Sequence, residues 1–449
     1  MSVDKLREVL SVGFDIPDDK VDYLVKVLPS VYRSYDSDYE LINDLSAVLE
    51  RLGFIASDDR VFGVEPWFDP NYFYMPTANR LCLRNDAPEG KVPQPKGYRD
   101  YSLMFSDVKN GKNYDISEWD VSVVKNMSSM FSGSDAASFG DLSHWDVSNV
   151  TDMHAMFFRC HVKSFENLSQ WDVSNVQDMS GMFRSCETTS FGDISKWNVS
   201  SVQNMEAMFY DCNLQAIGDI ANWDVSNVRN MSYMFFKGTG AVSLDLSRWN
   251  VSSVNDISHM FKHCKECSFG DLSNWNVSNV TKMDSLFENC KIESFGDLSN
   301  WDVSNVSSMS GLFRDCGVIS FGDLSKWDVS NVSSMCYLFC RCRVKSFGDL
   351  SKWNVSNVQS MASMFRECSI KSFGDLSTWD VSKVSNMEFM FAKCRTEYFG
   401  DLSWWKVYSL HRTDGMFDDC RTVSFGDLNA WAKVPYSWVK KYCRDVPKL

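Results

Sequence analysis

One short segment of the chain combines histidine and cysteine at the spacing of a metal site. It contains, in order, His259, His263, Cys264 and Cys267. Imidazole nitrogens and thiolates are the ligands that zinc prefers, and a tetrahedral site needs all four side chains to converge. Cys264, however, also belongs to a regular series of cysteines, which favours a place in the core. We therefore expect no metal and no cofactor at this segment.

The series of cysteines recurs with one constant period, which is skipped once, between Cys212 and Cys264. Its members are Cys160, Cys186, Cys212, Cys264, Cys290, Cys316, Cys342, Cys368, Cys394 and Cys420. A thiol that recurs beside large apolar neighbours behaves as a small hydrophobic side chain facing the core. Cys336 and Cys340 lie close to Cys342 in sequence, but the place of Cys342 in the series argues against a metal site there as well. Without a secretory signal, we expect free thiols in a reducing compartment.

Acidic residues form two further series with the same period. The first contains Asp141, Asp193, Asp219 and Asp271, and the second contains Asp146, Asp172, Asp224, Asp302 and Asp328, interrupted by Asn198, Asn250, Asn276 and Asn354. Calcium held between carboxylates is one interpretation, because hard cations bind several carboxylate oxygens. The other is that each side chain caps its own turn. Exchange of Asp for Asn favours capping, because an amide keeps the acceptor and loses the charge.

These residues are all positioned by one 26-residue unit. The unit contains Asp-Leu-Ser-x-Trp-Asp/Asn-Val-Ser-Asn-Val, then Met, then Met/Leu-Phe, then Cys and Ser-Phe-Gly, and its tryptophan recurs in every unit from Trp119 to Trp431 without insertion or deletion. Such strict spacing predicts coils stacked in register. Short extended pieces alternate with turns, and Met156, Phe157 and Cys160 have the spacing of a single helical or 3₁₀ turn. One coil cannot bury enough apolar surface to fold alone, so the interfaces between coils must supply the stability.

The motif WDVSNV, followed by Met-Phe and Cys, resembles the repeat of BspA-like leucine-rich-repeat surface proteins of bacteria, with related arrays in protists and large DNA viruses. The resemblance covers residues 115–426. It implies a leucine-rich-repeat-like solenoid, with short β-strands and helical turns, that is used for adhesion or contact between proteins. It identifies no ligand.

The repeats define the domain organisation. Residues 1–56 are predicted to form a small α-helical domain, and residues 57–88 an irregular segment rich in aromatic residues and proline. Residues 89–114 are a degenerate repeat that caps the array. The twelve regular repeats occupy 115–426, and residues 427–449 close the other end.

The aromatic residues outside the repeats are candidates for partner binding. They are Trp67, Phe68, Tyr72, Phe73 and Tyr74. Exposed aromatic clusters are common interface anchors. The alternative is that these side chains pack the helical domain onto the first coil, and the sequence leaves both interpretations open.

Charge and motif content favour a structural role. The formal net charge of −14 argues against nucleic acid as a partner, because phosphates repel an acidic chain. No apolar run reaches the length of about 18 residues that membrane insertion needs. No catalytic motif is evident. We predict a non-enzymatic scaffold, inside a cell or in a virion, that binds other proteins, with a capsid or further copies of the chain as candidate partners. A secreted or surface adhesin with calcium-stiffened repeats is the alternative.

Overall fold

The computed structural model describes most of the repeat region and small parts of the N-terminal region. The described residues are 10, 21–22, 24–25, 69, 71–77, 80–95 and 99–431, without 164, 166, 189–190, 215–216, 241–242, 266, 293 and 423–425. The chain forms two compact units, Met1–Asp193 (unit 1) and Ile194–Leu449 (unit 2). Both contain stacked 26-residue coils, which gives each unit the arrangement of a repeat solenoid.

The first part of each coil is a tight turn that ends at the tryptophan. In the coil that contains Trp301, Oδ1 of Asp297 accepts a hydrogen bond of 2.9 Å from the backbone N–H of Ser299, and the N–H of Trp301 donates to the carbonyl of Leu298. The 3₁₀ helices at this part of the described coils are Leu168–Gln170 in unit 1 and, in unit 2, Ile194–Lys196, Leu298–Asn300, Leu324–Lys326, Leu350–Lys352, Leu376–Thr378, Leu402–Trp404 and Leu428–Trp431.

The Met-x-x-Met-Phe-x-x-Cys part differs from the predicted helical turn. The backbone makes successive i to i+3 bonds, such as Phe158 N–H to the Ala155 carbonyl at 3.0 Å. Two residues per coil, four positions apart, adopt left-handed backbone angles, for example φ 51° at Ala155 and φ 50° at Arg159. Because a left-handed residue reverses the helical path after each turn, the segment is a chain of turns rather than a helix.

Consecutive coils are joined by backbone hydrogen bonds along this chain of turns. The N–H of Met309 donates to the carbonyl of Ser334 at 3.1 Å, and the N–H of Phe313 donates to the carbonyl of Leu338 at 3.0 Å. Parallel pairing is therefore present, but between coils it is reduced to isolated bridges such as Ser308 with Ser334. Within the described residues, the short β-strands expected in every coil do not recur from coil to coil, because the left-handed residues interrupt extended backbone.

The four strands of the described region all lie in unit 1. Strands β1 (Phe73–Thr77) and β2 (Arg80–Leu83) pair as an antiparallel hairpin within the segment predicted to be irregular. Strands β3 (Gly90–Lys91) and β4 (Tyr114–Asp115) pair in parallel, one coil apart. The predicted helical domain at 1–56 lies almost wholly outside the described residues. Of that segment, residues 21–22 and 24–25 are helical.

The core of each unit consists of side chains that repeat from coil to coil. In unit 1 the rings of Phe131 and Phe157 stack at 5.6 Å, and in unit 2 those of Phe313 and Phe339 stack at 5.8 Å. The recurring valine, methionine and leucine positions of these coils are also buried. The recurring apolar positions of the unit therefore form the core.

Candidate partner-binding surface

The aromatic segment predicted to bind partners is only partly described. Trp67 and Phe68 lie outside the described residues. Tyr72 and Tyr74 are half-buried, and burial raises the pKa of Tyr74. Phe73 is fully buried, with its ring 6.2 Å from that of Trp119. Phe73 therefore packs on the first coils of unit 1, and both the binding role of the segment and its packing against the helical domain stay predictions.

The histidines and cysteines that resemble a zinc site point in different directions. His259 stacks on Tyr233 at 4.3 Å, whereas Cys264 is fully buried and its Sγ donates to the carbonyl of Phe235 at 2.9 Å. Cys267 is buried and lies 3.3 Å from the carbonyl of Gly240. Over the part of the chain that the structure describes, no three or more His, Cys, Asp or Glu side chains are grouped to hold a metal ion.

The regular cysteine series lies in the core, as predicted. Nine of its ten members are buried, and Cys420 is half-buried. Burial raises the pKa of the Cys316 thiol to about 12 and raises the pKa of Cys290 and Cys368 as well. The described cysteines are free thiols. Cys336 does not belong to the regular series. It is half-exposed, and its Sγ lies 2.9 Å from Oγ of Ser360.

The two acidic series cap turns. Oδ1 of Asp141 accepts from the N–H of Ser143 at 2.9 Å, and this bond lowers the pKa of Asp141. In the second series, Asn276 accepts from the N–H of Ser278 at 3.2 Å in the way that the aspartates of that series do. An amide and a carboxylate therefore perform the same task, which agrees with the capping interpretation.

The left-handed positions carry the most varied side chains of the coil. The first of the two holds Ser285, Gly311 and Ser363 in some coils of unit 2 and aromatic rings in others. The aromatic residues at this position are Tyr233, His259, Tyr337 and Phe389, with φ between 55° and 59°. A left-handed backbone costs a residue with a Cβ about 1–2 kcal/mol. Unit 2 thus places aromatic side chains at a strained position that other coils fill with glycine, alanine or serine.

Cations and further rings surround these aromatic residues. The guanidinium of Arg314 lies 4.8 Å from the ring centre of Tyr337, and that of Arg366 lies 5.3 Å from Phe389. Tyr337 and Phe389 each keep 37% of their surface exposed. We define the aromatic–arginine face as Tyr210, Tyr233, Phe236, His259, Arg314, Tyr337, Arg366 and Phe389.

An ion-pair ladder crosses the same face from coil to coil. The ammonium of Lys262 lies 2.8 Å from the carboxylate of Glu288, which also lies 3.5 Å from Arg314. The ladder continues from Arg341 to Glu367 at 3.1 Å. Burial opposes ionisation of Glu288, but hydrogen bonds from Lys262 and Ser285 hold its pKa below the ordinary value. The ladder fixes the arginines that flank the rings.

Sequence reasoning missed this face. The candidates predicted from the sequence, such as Tyr72 and Phe73, lie outside the regular repeats, whereas the face lies within the repeats, after the first methionine of the unit. Pairs such as Arg314 with Tyr337 form between neighbouring coils, so they depend on how the coils stack and not on the pattern within one unit.

Fold and surface together define a repeat protein with a solenoid-like stack of coils and a varied outer surface. A family model matches five overlapping segments, residues 99–217, 186–294, 212–320, 262–372 and 307–431, which together cover well over half of the chain. The chain belongs to the family described as "Mycoplasma protein of unknown function, DUF285". No curated protein and no solved structure matches the chain significantly. Among the described residues, none of the helices has the length and apolar character to cross a lipid bilayer.

Proposed function

We propose that this protein is a non-enzymatic scaffold of the BspA-like, leucine-rich-repeat-like type, and that unit 2 binds another protein through the aromatic–arginine face. The observation that carries the proposal is the occupancy of the left-handed position. Gly311 fits there without strain, whereas Tyr337 and Phe389 occupy the same position at a cost in backbone energy. Ser285 and Ser363 bear the same backbone strain, so the exposed ring at this position, and not the strain alone, points to a binding role.

The composition of the face suits a protein partner. Tyrosine and arginine are enriched among the residues that dominate binding energy. An arginine held over a ring presents both an apolar and a charged surface. An intracellular or virion assembly is the setting that we propose.

Several buried nitrogens of the face lack hydrogen bonds. Among the residues that the structure describes, the Nε atoms of Arg314 and Arg366 and the Nδ1 atom of His259 find no hydrogen-bond partner. The carboxylates of Asp315 and Glu367 lie 3.5 Å and 3.4 Å from the two Nε atoms, which is close enough for charge attraction but without hydrogen-bond geometry. Buried polar groups without partners are rare in native proteins, so their concentration here further distinguishes this face.

Affinity purification of the full chain, from cells that produce it naturally, tests this proposal. Tyr337→Ser with Phe389→Ser removes both exposed rings and installs the serine that Ser285 and Ser363 already place at this position. We expect the double variant to keep its melting temperature and lose its co-purifying proteins. Gln359→Ser, at an exposed position between the valine and methionine, is the matched control and should retain them. Unchanged recovery by the double variant would place the binding surface elsewhere.

A further inference from the structure

Seven cations form a line along the flank of unit 2 that follows the buried cysteines. They are Lys265, Lys291, Arg343, Lys345, Lys371, Arg395 and Arg421, and all are exposed. Each lies one or three residues after a cysteine of the regular series. Lys265 pairs with Lys291 in a parallel bridge, as Arg395 does with Arg421, so the two cations of each pair are separated by about 4.8 Å along the stack. We call this line the cationic stripe.

The cations of the stripe have no internal use within the described residues. None of the seven side chains forms a hydrogen bond or an ion pair there. The neighbouring ladder shows the opposite arrangement, because Lys262 and Glu288, for example, pair at 2.8 Å. Like charges directly opposite each other on paired backbone are destabilising. The stability of the fold therefore does not explain why Lys265 lies beside Lys291. Binding of an anionic ligand would explain this arrangement.

Two cavities adjoin the stripe. The larger, of about 1050 Å³, is lined by Lys291, Gly317 and Arg343 together with the acidic residues Asp315 and Glu367. Both of those carboxylates are engaged by Arg341, at 3.7 Å and 3.1 Å. The cations Lys291 and Arg343 thus remain available on either side of Gly317, which has no side chain to block the space between them.

The smaller cavity has an apolar wall. It measures about 480 Å³ and is lined by Ile319, Lys345, Gly322 and Gly348, among others. Ile319 is 63% exposed and belongs to the one coil within the stripe that contributes no cation. The stripe therefore presents cations, then an apolar patch with a cavity, then cations again.

We propose that the cationic stripe binds an extended acidic segment of the partner protein, with one apolar side chain of that segment seated beside Ile319. This assignment rests on the proposed scaffold function and names its partner chemistry. Six coil steps span about 29 Å, which corresponds to about nine residues of extended chain. Single-stranded nucleic acid fits less well, because the stripe lacks the aromatic side chains on which bases stack. A sulfated polysaccharide would gain nothing from the isoleucine.

Fluorescence anisotropy of labelled peptides on the full chain tests the assignment. The probes are two nine-residue glutamate peptides, each with one leucine, placed fourth from either end to allow for both chain directions. We expect one or both to bind at low salt, and Lys291→Glu with Arg343→Glu to weaken binding at least about tenfold. The matched control, Lys326→Glu with Lys352→Glu, makes the same charge change on the exposed 3₁₀ turns and should change binding less than about twofold. Ile319→Ser should abolish the preference for a leucine peptide over an all-glutamate one.

Three results would overturn the assignment: absence of peptide binding, equal loss in both charge-reversal pairs, or tighter binding of heparin or oligothymidylate than of the peptides. Circular dichroism and melting temperature must match between the two pairs, which the exposure of all four residues leads us to expect. The scaffold function is tested separately by Tyr337→Ser with Phe389→Ser. If that variant loses its partners and the peptides do not bind the wild-type protein, the scaffold function is supported and only the proposed binding by the cationic stripe is contradicted.

Discussion

The indole Nε1 of Trp275 donates a hydrogen bond of 3.0 Å to the backbone carbonyl of Leu246, which belongs to the preceding coil. Trp301 makes the equivalent bond to Leu272 at 3.0 Å, and its ring stacks on that of Trp275. Each tryptophan therefore satisfies a buried acceptor in the preceding coil while it fills its own coil. The tryptophan side chains therefore stabilise the interface between neighbouring coils within a unit.

Replacing Trp275 by phenylalanine tests how much these contacts between coils contribute to stability. Because the carbonyl of Leu246 loses one of its two donors and keeps only the N–H of Trp249, and because the smaller ring leaves space, we expect a loss of about 2–4 kcal/mol in the free energy of unfolding. Urea denaturation followed by circular dichroism measures it. Trp404→Phe is the control, since 77% of Trp404 is exposed, and should cost less than about 0.5 kcal/mol. Similar losses in both variants would contradict a stabilising role of these contacts.

A second prediction concerns the glycine that precedes each cap. Gly322 has φ 86°, and a Cβ there would overlap Oδ1 of Asp297, which caps the turn of the preceding coil. Gly322→Ala should therefore cost about 3–5 kcal/mol, because it adds backbone strain and displaces the cap. Thermal and urea unfolding measure the loss.

Gly311 provides the matched control for that variant. It is also left-handed, with φ 66°, but the same position in neighbouring coils carries Ser285 and Tyr337. An added Cβ would lie 2.9 Å from the rotatable hydroxyl of Ser285 and 3.4 Å from Oε2 of Glu288, with no backbone atom among its nearest neighbours. Gly311→Ala should cost only the backbone strain of about 1–2 kcal/mol. If the two alanine variants lose the same free energy of unfolding, the close approach of Gly322 to Asp297 does not contribute to stability.

Sequence alone predicted the features that depend on position within one coil. The 26-residue period, the buried place of Trp275 and Cys264 and the capping by Asp141 all follow from local pattern and side-chain chemistry. The chain of turns was missed because the sequence spacing of Met156, Phe157 and Cys160 is compatible both with a helical turn and with successive turns that contain left-handed residues. Only glycine marks a left-handed position in a sequence, and here that position usually holds other residues.

The candidate surface could not be predicted for a different reason. The contact between Arg314 and Tyr337 joins neighbouring coils, and its existence depends on how the two turns are offset along the stack. The sequence gives the separation of the two residues along the chain but not that their side chains meet. Similarly, the aromatic Phe73 has the composition of an interface anchor, and only its contact with Trp119 shows it to be buried.

Thiol reactivity is the third prediction. Cys336 is half-exposed, whereas burial raises the pKa of Cys420 to about 12 and that of Cys340 to about 11. A buried, protonated thiol reacts slowly. In a Cys443→Ser background, which removes a cysteine outside the described residues, we expect Cys336 to react first with a thiol reagent at pH 8. Denaturation should release the remaining thiols.

Two serine substitutions test whether the fast reaction comes from one exposed thiol or simply from the large number of thiols. Cys336→Ser in that background should remove the fast phase, while Cys264→Ser should leave it unchanged. Mass spectrometry of the modified protein identifies the site. Fast modification of Cys264 in the native state would show that the cysteine series is accessible and would contradict its place in the core.

The last prediction concerns the acid stability of the ion-pair ladder. Glu288 is held by Lys262 at 2.8 Å and Arg314 at 3.5 Å, and its side chain is 10% exposed. Glu288→Gln removes the charge that both cations face, so we expect a loss of about 1.5–3 kcal/mol at pH 7. Because the folded pKa of Glu288 is depressed, its contribution is complete above the ordinary glutamate pKa of about 4.3 and disappears as the pH falls through the lower folded value.

The stability difference between the wild-type protein and Glu288→Gln should therefore shrink between pH 5 and pH 3, as measured by urea unfolding at each pH. Glu367→Gln is the comparison, because Glu367 pairs with Arg341 and is more exposed, at 29%. Solvent screens that pair, so its loss should cost less than about 1 kcal/mol. A difference for Glu288→Gln that stays constant down to pH 3 would show that the ladder acts through side-chain packing and not through the charge of the carboxylate.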